Sequence, residues 1–228
     1  MSLKSLLTLK QSIFGFRNYQ YSFDNLKTNN NLAFIDEIEF SEAYKIAVGL
    51  VGKDLEIPLR IHQALWCGLN SLKIEGDLVE LGCGAGFTFI SLLNYFKLKN
   101  LDFSNKGIYL FDSFLPVKPD SSGNQSVIGK MRKPDAYANS KDEVKERFKQ
   151  WPNVKLVDGL LPASINKTID SIRSISFLHV DLNHFQAEIS SLEILYEKVS
   201  NGGLLLLDDY ANPGRDIQRV AHNNFFKI

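Results

Sequence analysis

The chain carries few of the residues that mark a secreted, metal-clustered or nucleic-acid-binding protein. Only two of its 228 residues are cysteine, Cys67 and Cys83, and their separation fits neither a zinc nor a disulfide spacing, which points to a reducing, cytoplasmic setting. Charge of one sign is not in excess either: 26 Lys and Arg face 26 Asp and Glu. A chain with no net charge has no bulk hold on a phosphate backbone, so nucleic acid is not an expected partner. No run reaches the ~18 apolar residues of a membrane span. The segment Met1–Phe16 alternates Leu with Lys and lacks a small-residue cleavage site, so neither export nor membrane insertion is expected.

What is present reads as one α/β unit behind an appendage. Residues 1–40 are expected to be an N-terminal arm, with Asn29, Asn30 and Asn31 as a polar break, and 41–228 the main domain. Helical periodicity runs over Ser41–Val51, with Ser41 as cap, over Pro58–Leu72, with Pro58 in the first turn, over Phe87–Leu98 and over Phe185–Val199. The last of these is closed by Asn201, Gly202 and Gly203. Short apolar runs at Leu78–Leu81, Ile108–Phe111, Val154–Val157, Ile175–Val180 and Leu204–Leu207 read as five strands. Strands alternating with helices imply a mostly parallel sheet with helices on both faces. Residues 115–138, rich in Pro, Gly, Ser and Lys, are too long for an ordinary connection and read as a lid-like insertion or a loose surface segment.

Gly82, Gly84 and Gly86 stand at alternate positions directly after the first strand. Removing every second side chain there lets the backbone bend tightly and lets a ligand lie on it. The spacing departs from the dinucleotide fingerprint G-x-G-x-x-G, whose third glycine would stand at Phe87. Glu80, just before the turn, would repel a pyrophosphate and suits a cationic ligand.

Ligands of such sheets bind beyond the carboxyl ends of the strands. Here every strand finishes in or beside an acid: Glu80, Asp112 with Ser113, Asp158, Asp181, and Asp208 with Asp209. Each could simply cap the following helix. The functional reading gives Asp112 the vicinal hydroxyls of a ribose and puts Asp158 beside an adenine ring. Asp181, Asp208 and Asp209 would share one crevice, where three carboxylates repel unless a hard cation such as magnesium relieves them. Such an ion would also lower the pKa of a bound hydroxyl and hold it for attack on a methyl group. His184, three residues after Asp181, is a candidate base, with His62 as its rival, while His179 lies inside an apolar strand and reads as a core residue.

The order E-x-G-x-G-x-G resembles motif I of the class I S-adenosylmethionine methyltransferases. Read jointly, Ile57–Trp66, Gly76–Gly82, Tyr109–Phe114, Trp151–Gly159, His179–Asn183 and Gly202–Tyr210 are similar to the macrocin O-methyltransferase (TylF-type) family, in the same order and over roughly 40–226. The resemblance implies a Rossmann-like fold and methyl transfer from S-adenosylmethionine to a hydroxyl of a sugar or natural product, with magnesium at the site. Carried over residue by residue, it assigns Glu80, Gly82, Gly84, Gly86 and Asp112 to the cofactor, and the strand-end reading adds Ser113 and Asp158. Asp181, Asp208 and Asp209 go to the metal, and Asp181 with His184 to catalysis. His184 occupies the offset at which catechol-type relatives carry a lysine base.

Two departures stand out. Asn183 replaces a second aspartate in the strand-four motif, and the chain stops at Ile228, where class I relatives continue into an antiparallel strand-six and strand-seven hairpin. The expectation is therefore a sheet lacking its C-terminal β6–β7 hairpin, with its last strand at an unprotected edge, in a chain incomplete at that end. The alternatives left open are a metal-independent methyltransferase and a non-catalytic nucleotide-binding module. A small-molecule or saccharide substrate is the expected partner, with a second copy of the chain packed on the N-terminal arm as a further expectation.

Overall fold

In the computed structural model, residues 21–24, 26–30, 32–115, 140–210, 214 and 216–228 are described. The lid-like insertion falls almost wholly outside them, as does the beginning of the N-terminal arm. Contacts divide the chain into two compact units, Met1–Trp66 with Phe87–Asp102, and Cys67–Gly86 with Phe103–Ile228.

The first unit opens with a two-stranded hairpin that periodicity did not suggest: β1 (Tyr21–Phe23) pairs antiparallel with β2 (Leu26–Thr28). Asp24 turns the hairpin with φ 51° and receives Arg60, whose Nη2 donates to Oδ1 at 2.7 Å. Helix α1 (Ile38–Val51) buries Phe40, Ala43, Tyr44 and Ala47, the i, i+3, i+4, i+7 stripe of an amphipathic helix. It begins earlier than Ser41 predicts, because Glu37 takes the N-cap position and its carbonyl accepts from the Ser41 N–H at 2.9 Å. Helix α2 (Pro58–Ser71) contributes its residues up to Trp66, and α3 (Phe87–Leu98) buries nearly its whole surface.

The second unit is built on a parallel sheet of five strands: β3 (Asp77–Leu81), β4 (Ile108–Asp112), β5 (Val154–Asp158), β6 (Ile175–Val180) and β7 (Val199–Leu207), in the order β5-β4-β3-β6-β7. Helices α4 (Lys141–Phe148), α5 (Phe185–Leu195) and α6 (Asp216–Phe226) belong to it. Side chains alternate across the sheet. Val79, Leu81, Tyr109, Phe111, Leu178 and Val180 enter one buried cluster with Leu192 and Leu195 of α5, and Phe225 and Phe226 of α6 pack against it. The opposite parity, Leu78, Glu80, Leu110, Phe177 and His179, is buried as well.

The fold expectation is corrected at the C-terminal side of the sheet. Strands β6 and β7 are both present and pair, Phe177–Val180 against Leu204–Leu207, so a β6–β7 pair is not missing. The two run parallel and are joined through α5; the antiparallel hairpin among the described residues is β1–β2. The described residues thus carry seven strands rather than the five that apolar runs suggest. Asn201, Gly202 and Gly203 do not close a helix. They lie inside β7, where the register shifts between Ile175↔Val199 and Phe177↔Leu204, and Gly202 absorbs the irregularity with φ 79°.

At the carboxyl ends of β3 and β6 the backbones nearly touch. A Cβ built on Gly82, whose φ is 89°, would lie 2.0 Å from the Asp181 carbonyl oxygen. Both the space and the left-handed backbone therefore demand glycine. Gly82→Ala is expected to cost at least about 3 kcal/mol, read as a lowered denaturation midpoint, because the Asp181 carbonyl is backbone and has no rotamer to yield.

Candidate active site

The turn after β3 is held by hydrogen bonds at nearly every peptide. The Phe111 carbonyl accepts from the N–H groups of both Gly82, at 2.8 Å, and Cys83, at 3.0 Å, and the Cys83 carbonyl accepts from Gly86 N–H at 2.7 Å. Gly84 N–H donates to Asp112 Oδ2 at 2.7 Å, while Asp112 Oδ1 accepts from Phe114 N–H at 2.8 Å. Gly82, Gly84 and Gly86 all take positive φ, at 89°, 51° and 83°. Gly84 differs from Gly82 in its surroundings: a Cβ there would meet nothing within 4 Å. One glycine is required by a crowded backbone, the next presents bare backbone to open space. Ser113 makes a local turn, its Oγ accepting from Leu115 N–H at 3.3 Å.

Beneath the turn lies a charged row spanning three strands. Glu80 on β3 and His179 on β6 are register partners, each 2% exposed, with Nδ1 2.9 Å from Oε1. Nε2 of the same ring faces Asp208 Oδ1, just beyond β7, at 3.9 Å. Burial pushes the Glu80 carboxyl up, against the pull of His179. For His179, burial works to lower the pKa, but the Asp208 and Glu80 carboxylates together outweigh it and carry it up to about 10. The imidazole is therefore held as a cation between two acids. Among the described residues, Glu80 Oε2 is buried with no hydrogen-bond partner. A cationic group placed against it would find an uncompensated acceptor.

The remaining strand-end acids point to separate partners. Asp158 Oδ2 faces Lys141 Nζ at 3.4 Å, and its carbonyl accepts from Lys167. Asp181 Oδ1 accepts from Asn183 Nδ2 at 3.2 Å. Asp209 is buried and faces α6, with its Oδ2 3.5 Å from Gln218 Nε2. Among the described residues no group of three His, Cys, Asp or Glu side chains is arranged to hold a metal ion. The expected trio of Asp181, Asp208 and Asp209 shares one end of the sheet but is not gathered. In the turn beyond β7, Asp208 faces His179 and Asp209 faces Gln218 of α6. As arranged, these side chains do not fit magnesium.

His184 is exposed and is the N-cap of α5, its Nδ1 accepting from Ala187 N–H at 3.3 Å. Accepting there commits the neutral ring to carrying its proton on Nε2, so in this arrangement its outer nitrogen donates. His62 lies in the first unit, stacked on Phe34 with ring centroids 4.2 Å apart, and burial lowers its pKa. The sequence reading missed a second buried polar cluster. Glu188 of α5 accepts from Gln218 Nε2 at 2.8 Å and lies 3.1 Å from His222 Nε2, with all three side chains buried. A helical pattern that places Glu188 one residue before apolar Ile189 carries no signal that the acid, too, faces inward.

Against known proteins, the chain matches the model of the Macrocin-O-methyltransferase (TylF) family over residues 46–225. It is 28% identical over 143 residues to the demethyldecarbamoylnovobiocin O-methyltransferase of Streptomyces niveus, an alignment covering 60% of this chain and 54% of that protein. The chain thus spans about half the length of the curated relative it matches. Among solved structures it is similar to the O-methyltransferase NovP, with TM-score 0.62 at 22% identity, covering 77% of this chain and 75% of that one. It is also similar to CalS11, a calicheamicin methyltransferase, with TM-score 0.58 at 15% identity, over 83% of this chain and 85% of the other. These likenesses show a Rossmann-like methyltransferase fold. No helix among the described residues is long and apolar enough to cross a membrane.

The buried row has a pH signature. His179 is raised from 6.5 to about 10 on folding, so its contribution to stability is complete below the unfolded value and is lost as pH rises through the folded one. Denaturant midpoints are expected to fall as pH is taken from neutral toward 10, and His179→Gln is expected to flatten that slope while lowering stability at neutral pH.

Proposed function

The chain belongs to the Macrocin-O-methyltransferase (TylF) family, and from that premise we propose that it is an S-adenosylmethionine-dependent O-methyltransferase acting on a hydroxyl of a sugar or natural-product acceptor. One observation carries the reading: a glycine turn with bare backbone at Gly84, anchored to Asp112, stands next to a buried carboxylate, Glu80, with an oxygen lacking a partner. The residues fit a ligand that is cationic and carries no phosphate. Glu80 would take its positive charge. Asp112, whose two oxygens each spend one lone pair on a backbone N–H, keeps the second pair of each for vicinal hydroxyls. Asp158, at the end of the neighbouring strand β5, would flank the adenine end.

Bound there, S-adenosylmethionine supplies a sulfonium-activated methyl group. The chain must then hold an acceptor hydroxyl in line with it and take up the proton. Asp181 is the group we assign to that proton, since it follows the end of β6, where its backbone carbonyl meets Gly82, and His184 caps α5. The relatives named above, a demethyldecarbamoylnovobiocin O-methyltransferase and a calicheamicin methyltransferase, support a sugar or natural product as the acceptor class.

Calorimetry tests the cofactor reading first. S-adenosylhomocysteine is expected to bind at least about a hundredfold, or 2.8 kcal/mol, more tightly than NAD. A preference for NAD would move the protein to the non-catalytic nucleotide-binding class. Magnesium assistance is the part of the family picture that the side chains as arranged do not support. Turnover indifferent to EDTA accords with Asp181 acting without a metal; turnover abolished by EDTA and restored by magnesium requires Asp181, Asp208 and Asp209 to regroup.

A further inference from the structure

One carbonyl of the glycine turn is held from outside the sheet. Ala85 O accepts from Arg147 Nη1 at 3.0 Å, a contact that bridges 62 residues of sequence. Ala85 lies between Gly84 and Gly86, both with positive φ. A peptide plane next to glycine turns over at little steric cost, because glycine accepts φ of either sign. The Ala85–Gly86 peptide is the plane at risk, and it is held at both ends: its N–H by the Cys83 carbonyl at 2.7 Å, its C=O by the guanidinium. The second is the charge-assisted bond of the two, hence the stronger.

Arg147 comes from a helix that is itself fixed. Helix α4 starts in a capping box, Ser140 Oγ accepting from Glu143 N–H while Glu143 Oε2 accepts from Ser140 N–H. Val144 and Phe148 are buried, and Phe148 packs on Trp151 with ring centroids 5.9 Å apart. Its first residue, Lys141, faces Asp158 at 3.4 Å. The helix therefore touches two of the positions assigned to the cofactor, the glycine turn and the end of β5.

We infer that Arg147 is a positioning residue of the cofactor site: it keeps the Ala85–Gly86 peptide turned so that the backbone at Gly84 stays open to the ligand. The inference rests on reading the glycine turn as the S-adenosylmethionine seat. Without the guanidinium the plane samples its flipped state, the Ala85 carbonyl changes sides, and the turn binds only in the fraction of molecules that remain correctly set.

The test compares Arg147→Met and Arg147→Lys with the unsubstituted chain, using two readouts. Hydrogen exchange across residues 83–87 in the free protein reports on the turn itself, and calorimetry with S-adenosylhomocysteine reports on the seat. Arg147→Met is expected to raise exchange in that segment and weaken binding by about tenfold each, and Arg147→Lys, with one donor for Ala85 O, to stay within about threefold. Unchanged exchange and affinity in Arg147→Met overturn the inference. So does exchange raised evenly across β3–β7 with a lowered melting temperature, which would mark Arg147 as packing alone. Should Arg147→Met fail to fold, Arg147→Gln takes its place under the same expectations. If the unsubstituted chain binds no S-adenosylhomocysteine, the cofactor reading fails instead, and selective loosening of 83–87 still supports the hold on the turn.

Discussion

The Asp181 carbonyl oxygen stands 2.0 Å from the place where Gly82 would carry a Cβ, and the geometry of the strand ends follows from that approach. Because β3 and β6 converge there, the chain leaving β3 cannot continue extended and bends at once through positive φ. The bend places the N–H groups of Gly82 and Cys83 on the Phe111 carbonyl and brings Gly84 over Asp112. It also sets Asp181 beside the turn rather than a residue away. A side chain at position 82 would push β3 and β6 apart and undo these contacts together. The glycine is thus a constraint of the sheet before it is a feature of any ligand site.

Two residue pairs below, the same two strands are keyed by charge. Glu80 and His179 are register partners buried to the same degree. A buried ion pair is poor evidence of net stability, since desolvating both groups offsets most of their attraction. It does penalise alternatives: a one-residue slip of β6 against β3 would turn His179 to the other face and leave Glu80 charged without its partner. The pair therefore fixes register at the strand ends where position matters most. It also means that one Glu80 oxygen is already compensated by His179, while the other has no hydrogen-bond partner among the described residues.

Much of this was legible in residue pattern, for physical reasons that can be named. Ile108–Asp112 is an apolar run terminated by an acid, Val154–Asp158 is one broken only by Lys155, and Ile175–Val180 is bounded as its side chains suggest. The E-x-G-x-G-x-G run located the turn, because glycine takes positive φ without steric cost. What escaped is what has no periodic signature. The hairpin Tyr21–Thr28 is too short to alternate visibly, and β7 begins at Val199, upstream of two glycines that read as a break. His184 has the residue type of a base and the position of a cap, and sequence offset alone cannot separate the two. Arg147 lies beyond every motif and meets the turn only through the fold.

The acidic residues at the end of β7 illustrate how adjacency in sequence differs from convergence in space. Asp208 and Asp209 are neighbours, so one looks toward His179 and the other toward Gln218. Each of those partners has a nearer acid. His179 has Glu80 at 2.9 Å and Gln218 has Glu188 at 2.8 Å, against 3.9 Å and 3.5 Å for the two aspartates. Distances of 2.9 Å and below lie in the range of full hydrogen bonds, while the longer pair lies at or past its limit. The buried groups are accordingly anchored most closely by acids from β3 and α5, with Asp208 adding to the negative charge that holds His179 protonated.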